Sequence, residues 1–320
     1  LHVVPHSALS SNYPTMINSE YSNWAGDCKN CYLVTDADYV EDSAYSSGIV
    51  RSKDSYDSTM VSESEICYGC VNIRECYRAV FSVDCVGCAD IWFLKNCSGC
   101  MYCFGCVNLR GKSYYIFNQA YTKEEYHTKL KELWDGSYRS YQKRREEAEN
   151  LWLQFPQKFL YGMKNTNVTG MHINNSKNVH SGFFISDVED SKYVALIHQS
   201  KTKDCYDYCD WGENAELLYE CIACGLGFTN SKFCNLSLKE CVRLEYCYWC
   251  TNSSDLFGCA GVRKKQYCIL NKQYSRAEYE VLTKKIKTQM DAMPYIDSLG
   301  HIYRYGEFFP PAVSLFGYNE

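Results

Sequence analysis

The chain has 320 residues, of which 46% are hydrophobic and 22% charged, so wholesale disorder is excluded: there is enough apolar surface to offset chain entropy. Its 33 basic and 38 acidic residues leave a net charge of −5, which excludes a nucleic-acid-binding polycation. No apolar run approaches the roughly 18 residues of a membrane-spanning helix. Two counts stand apart, 21 Cys and 29 Tyr.

In chain order the first segment, 1–16, reads as an N-terminal arm, and residues 17–121 as a first solenoid copy. Within it an acidic or amide residue followed by a small residue recurs at Asp27-Cys28, Asp42-Ser43, Asp54-Ser55, Glu75-Cys76, Asp84-Cys85 and Asn96-Cys97. The period averages about 12, and two units of together about 22–24 residues are expected to make one coil of a parallel β-helix. A free Cys behaves as a small buried hydrophobe, and an Asx before it suits a corner. Strands this short bury little alone, but stacked coils share a continuous core. Tyr and Phe beside the Cys positions are expected to form outer ladders.

Residues 122–164 read as a helical tail and connector. Thr122-Lys-Glu-Glu125 is a capping box, and Tyr126, Leu130, Leu133 and Trp134 share one face of the helix that follows, which Gly136 ends. A charged helix is expected over 138–154, stopped by Pro156. Residues 165–274 read as a second solenoid copy, 275–294 as its closing helix behind the capping box Ser275-Arg-Ala-Glu278, and 295–320 as an aromatic C-terminal strap. The two copies show directly. Phe104–His127 and Phe257–Glu280, 153 residues apart, are identical at eleven of 24 positions. The expected fold is therefore mainly β, a parallel β-helix or solenoid of short Cys-bearing units in two tandem copies, each closed by a strand and helix, with a helical connector.

The sharpest constellation is Cys97, Cys100, Cys103 and Cys106, four thiols at a spacing of three. Cys-x-x-Cys on a tight turn is half of a common zinc site, which makes these four the candidate metal ligands. Against zinc, the pairs march evenly along the chain instead of meeting, and Ser253 and Leu256 align with Cys100 and Cys103 in the second copy. The leading reading is buried reduced thiols with no cofactor; zinc is the alternative. No dinucleotide, phosphate-loop, serine-hydrolase or zinc-protease motif occurs, and no catalytic residue is assigned. A Cys205 dyad with His180 or His198 and a Ca²⁺ site in the acidic knot Asp204–Asp210 are minor readings. Lys143-Arg144-Arg145 and Arg263-Lys264-Lys265 read as solvated faces.

Asn23-Trp-Ala-Gly-Asp-Cys-Lys-Asn-Cys-Tyr-Leu33, Cys103-Phe-Gly-Cys-Val-Asn-Leu-Arg110, Tyr267-Cys-Ile-Leu-Asn-Lys-Gln-Tyr274 and Tyr305-Gly-Glu-Phe-Phe309 carry a family likeness over nearly the whole chain. They resemble functionally uncharacterised Cys-rich repeat proteins of candidate-phylum bacteria with reduced genomes. Members of that family carry an N-terminal zinc-ribbon-like module ahead of this region, and no such module stands in this sequence. The resemblance implies no enzymatic activity. Ser and Val at several unit positions argue against a metal role common to the family.

The expected function is a non-catalytic scaffold or self-assembling subunit that meets a protein partner, or itself, through Tyr-rich faces. A zinc-binding module on the 97–106 thiols serving nucleic-acid recognition comes second, and a polysaccharide-binding or cleaving β-helix third. Nucleic acid is otherwise disfavoured as a partner. The cytoplasm is favoured over a cell-surface or extracellular assembly; the latter stays open because residue 1 is Leu, as after loss of a signal peptide.

Overall fold

The computed structural model describes residues 13–197, 208–209, 221, 224, 227–237, 239–296 and 300–306. They fall into two compact units, one within residues 13–157 and one within residues 158–306.

In the first unit, strand partners lie twelve residues apart and run parallel: Asn23 pairs with Thr35, Tyr32 with Ala44, Val71 with Val83 and Ala89 with Met101. One unbroken column of bridges passes through Ile17, Lys29, Glu41, Lys53, Glu65, Tyr77, Ala89, Met101 and Ser113. The fold is a parallel β-solenoid, as expected, but the coil is half the expected length. One unit of about twelve residues, not two, carries the chain once round the axis.

Closure in twelve residues has a local cause. Every third residue takes the left-handed conformation: from Asp54 to Phe93 the φ angles at these positions lie between 47° and 63°. Each such kink turns the chain and sends the next residue inward, so the coil is four triplets with four inward positions. The left-handed positions include Asp54, Asp57 and Asn72, which tolerate this region, but also Met60, Ile66 and Phe81, which do not favour it. The strain is offset by the ladder, in which Lys53 N–H donates to Ser64 O and Asp54 N–H to Glu41 O at 3.0 and 3.2 Å.

The inward residues are buried without a break from Ser22 to Cys106 at every third position. They stack in four columns with a step of twelve. Two columns are rich in Ser and Cys: Cys28, Val40, Ser52, Ser64, Cys76, Cys88, Cys100, and Ser22, Val34, Ser46, Ser58, Cys70, Ser82, Leu94, Cys106. The column from Ser19 to Cys103 is just as rich in them, with Cys31, Ser43, Ser55 and Cys67, whereas the remaining one, Ala25, Ala37, Ile49, Val61, Ile73, Cys85, Cys97, is largely aliphatic.

Hydrogen bonding explains the choice in the first two columns. Residues such as Ser64, Cys76 and Cys88 lie between strands, where the inward N–H needs a side-chain acceptor from the coil before. Ser64 N–H donates to Ser52 Oγ at 3.3 Å, Cys76 N–H to Ser64 Oγ at 3.0 Å, Cys70 N–H to Ser58 Oγ at 3.1 Å and Cys100 N–H to Cys88 Sγ at 3.4 Å. The same groups donate to the carbonyl two residues back, as Ser64 Oγ does to Ser62 O at 2.8 Å and Cys76 Sγ to Arg74 O at 3.3 Å. Hydroxyl and thiol are interchangeable here because both accept and donate. Ile49, Val61 and Ile73 sit inside paired strands, where an aliphatic side chain suffices.

A short antiparallel return, Tyr115 with Ala120, ends the first unit's coils. Helix α1 (Lys123–Leu133) then starts at the expected capping box on Thr122 and Glu125, and α2 (Tyr138–Leu153) follows behind the cap Ser137. Both pack on one side of the coils, Trp134 against Trp92 and Phe93 and Tyr141 against Phe81, with centroids 4.9, 6.1 and 4.5 Å apart.

The second unit repeats the plan less regularly. Its pairing step is twelve between Lys177 and Glu189 and between Val242 and Ser254, but eleven at Thr166 to Lys177, thirteen at Thr229 to Val242 and fourteen at Val194 to Tyr208. Its core runs from Ile173 through Cys234, Leu244 and Leu256 to Cys268. The return Cys268 with Gln273 leads to the capping box Ser275–Glu278 and helix α3 (Arg276–Ala292).

Candidate functional site

Four steps of three complete one coil, so the evenly marching thiols close on each other. Cys97, Cys100, Cys103 and Cys106 are the four inward positions of a single turn, each at most 1% exposed. The four share one turn of the solenoid, each thiol beside the next one along the chain. Each donates to the carbonyl two residues back, on Lys95, Ser98, Met101 and Phe104, at 3.3–3.5 Å. Cys100 is hydrogen-bonded to Cys103, Cys88 and Cys97 and is held below the usual thiol value by them. Its neighbours Cys97 and Cys103 are pushed up by the contact with it. Cys106 is drawn down by the neighbouring Cys103 thiol.

Elsewhere in the first unit burial raises Cys67 to about 12 and Cys70 to about 11. The neighbouring thiols of Cys28 and Cys31 draw Cys31 down to about 7 and push Cys28 up. All eleven cysteines of this unit are buried and none is in a disulfide.

The second unit supplies an internal comparison. The coil equivalent to the four-thiol ring carries Cys250, Ser253, Leu256 and Cys259, all buried, and keeps the twelve-residue pairing on both sides. A coil of this shape therefore closes around two thiols, a hydroxyl and an isobutyl group. Among the described residues no group of three or more His, Cys, Asp or Glu is arranged to hold a metal ion.

The minor sequence candidates disperse. The acidic knot 204–210 and the dyad partners Cys205 and His198 lie outside the described residues, apart from the backbone of Tyr208 and Cys209. In the basic cluster on α2, Arg144 donates to Leu133 O at 3.0 Å and Arg145 to Glu149 Oε1 and Tyr141 Oη at 2.7 and 3.0 Å, so both guanidinium groups serve the helix itself. Among the described residues no helix is long and apolar enough to cross a membrane.

The surface feature that the sequence only sketched is an aromatic side. The two outward residues of one triplet per coil form adjacent columns: Tyr32, Tyr56, Tyr68, Trp92 and Phe104 in one, Tyr21, Leu33, Tyr45, Phe81 and Phe93 in the other. Helices α1 and α2 cover the C-terminal half, burying Phe93 and Phe104. The N-terminal half is bare, with Tyr21 65%, Tyr32 46%, Leu33 47%, Tyr45 58%, Tyr56 41% and Tyr68 45% exposed. Tyr32 meets Tyr21 and Tyr45 edge to face at 5.5 and 5.7 Å, so the rings form a ladder. Recurrence of aromatic residues at steps of eleven to thirteen was the signal available for it.

In the second unit the matching column, Phe233 and Tyr246, is covered differently. Tyr305, from the expected strap, sits 6.1 Å from each ring and donates to Glu245 Oε2 at 2.8 Å, while Lys287 of α3 pairs with Glu245 Oε1 at 2.6 Å. The slot that a helix tyrosine fills in the first unit is filled here by a strap tyrosine.

Fold and core together define a parallel β-solenoid with an axis lined by thiols and hydroxyls. No family model and no curated protein matches the chain. Among solved structures it is similar to the UDP-N-acetylglucosamine acyltransferase from Campylobacter jejuni, at 7% identity over 87% of this chain and 84% of that one, with a TM-score of 0.10. A likeness of that size carries no argument, and the solenoid rests on the strand pairing alone.

Proposed function

We propose that the chain is a non-catalytic scaffold whose solenoid units present aromatic faces to protein partners, copies of itself included. The observation that carries this reading is the half-covered aromatic side: α1 and α2 bury its C-terminal half, and five exposed tyrosines continue it. Burying such rings is the strongest contribution a surface of this kind offers to association. The core supports the same reading, because its thiols are enclosed and engaged in backbone hydrogen bonds.

A second reading, a soft-metal site on Cys97, Cys100, Cys103 and Cys106, has one observation in its favour, that the four thiols close on one coil. Thiolate ligands suit Zn²⁺ at such a ring, and metal binding would then add to folding stability. One experiment addresses both. The native mass of the purified chain is measured across a wide concentration range, with and without chelator, alongside elemental analysis. The scaffold reading expects mass to rise with concentration, no stoichiometric metal, and no effect of chelator. A strictly monomeric, stoichiometrically metallated chain that unfolds on chelation would replace it with the second reading.

A further inference from the structure

We infer that the bare half of the first unit's aromatic side is a docking lane for an amphipathic α-helix of a partner protein, one carrying aromatic residues on its apolar face and Lys or Arg beside it. The inference rests on the scaffold reading and names its partner. Three observations carry it.

The first is continuity. The lane is the same pair of columns that α1 and α2 already occupy, and Tyr68 lies 5.1 Å from Phe81, the last ring under α2. In the first unit these columns are covered by Tyr141 of α2 and by Trp134, the C-cap residue of α1. The second is size. From Tyr21 to Tyr68 the lane spans four coil steps, about 19 Å at a strand spacing of ~4.8 Å, which is about 13 residues of helix. Its width of roughly one helix diameter gives about 200 Å², far below the roughly 800 Å² per partner of a stable flat dimer. A single helix fits this strip, whereas a second solenoid laid on it would leave most of both surfaces unburied. The third is charge. The two columns from Glu20 to Gly69 hold two carboxylates, Glu20 and Asp57, both exposed, and no Lys or Arg. Helix α2, which covers the adjoining half, is itself basic in its first half, with Arg139, Lys143, Arg144 and Arg145.

The test uses the full chain and a side-chain-stapled peptide of the sequence Tyr138–Leu153, the helix already compatible with these columns. Binding is followed by fluorescence anisotropy for the unaltered chain, for Tyr32→Ser/Tyr45→Ser, and for Tyr77→Ser, an exposed tyrosine on another side of the coil. Because these rings point outward, circular dichroism and melting temperature serve to establish that each variant is folded. Saturable binding is expected, weakened at least tenfold by the double substitution and unchanged by Tyr77→Ser. Absence of saturable binding, or equal loss in the double variant and Tyr77→Ser, overturns the helix lane. So does lane-dependent binding to zwitterionic lipid vesicles in place of the peptide. If the peptide fails while native mass still rises with concentration, and does so only with Tyr32 and Tyr45 intact, the scaffold reading stands without this partner. If neither occurs, both fall.

Discussion

Ser58 has two bonds to make: its hydroxyl donates to Tyr56 O at 2.8 Å and accepts Cys70 N–H at 3.1 Å. That pair of bonds is why the axis of this solenoid is lined with Ser and Cys and not with Leu alone. Ser58→Ala removes the acceptor and strands a buried amide, so a loss of about 1–3 kcal/mol is expected. Ser58→Cys keeps an acceptor and a donor of similar reach, and its cost is expected to stay within about 1 kcal/mol, since the coil above already uses Cys70 in the same column. Urea titrations read both through the midpoint at constant slope. Equal costs for the two substitutions would show that volume, not hydrogen bonding, selects the residue.

At the scale of an element, the aromatic side owes its stacking to glycine. Gly69 lies in the same column as Phe81 one coil on, with φ +63°, and a Cβ there would stand 2.5 Å from the Phe81 ring. Gly87 has a similar φ of +60° with nothing within 4 Å of its Cβ position. Both substitutions to alanine incur the left-handed penalty of roughly 1 kcal/mol, but only Gly69→Ala also displaces a ring. Gly69→Ala is therefore expected to cost about 1–2 kcal/mol more than Gly87→Ala, with near-ultraviolet circular dichroism changing as Phe81 shifts beneath Tyr141. Equal costs would mean that the stack has room to spare. The helices themselves were the most legible elements: each capping box marked its helix start to the residue, and the predicted apolar face of α1, with Tyr126 and Trp134, is the one that packs. In α3, Tyr279, Leu282, Ile286 and Met290 are half-buried around the buried Thr283. Capping and helical period are local properties, so sequence suffices to read them.

For the molecule as a whole, the thiol core makes stability depend on pH with a definite sign. Unfolded thiols titrate near 9.0, whereas burial holds Cys67 at about 12 and Cys70 and Cys241 at about 11. A folded value above the unfolded one means that the contribution is complete below about pH 9 and is lost as pH rises from there through 11 and 12. The urea midpoint is expected to fall between about pH 9 and 12, less steeply in Cys70→Ser. A midpoint that does not fall in that range would mean that the thiols are open to water.

The chain pattern by itself determined that small residues recur behind acidic or amide ones, that the plan occurs twice, and that helices follow each copy. It could not determine the coil. A period near twelve is equally compatible with one unit per turn or two, because the pattern along the chain records which residues face inward and not which strand each one meets. The deciding feature is the left-handed backbone at every third residue, and side chains such as Met60, Ile66 and Phe81 give no sign of it. Only the pairing of residue with residue twelve further on holds those positions there. The candidate ring followed the same rule: Cys97, Cys100, Cys103 and Cys106 were legible as a set, but the closed coil alone brings their sulfurs together. Nor does local sequence say where the helices stop on the aromatic side, since covered and bare rings are of the same kind. Burial there is a property of the assembled surface, set by how far two packed helices reach.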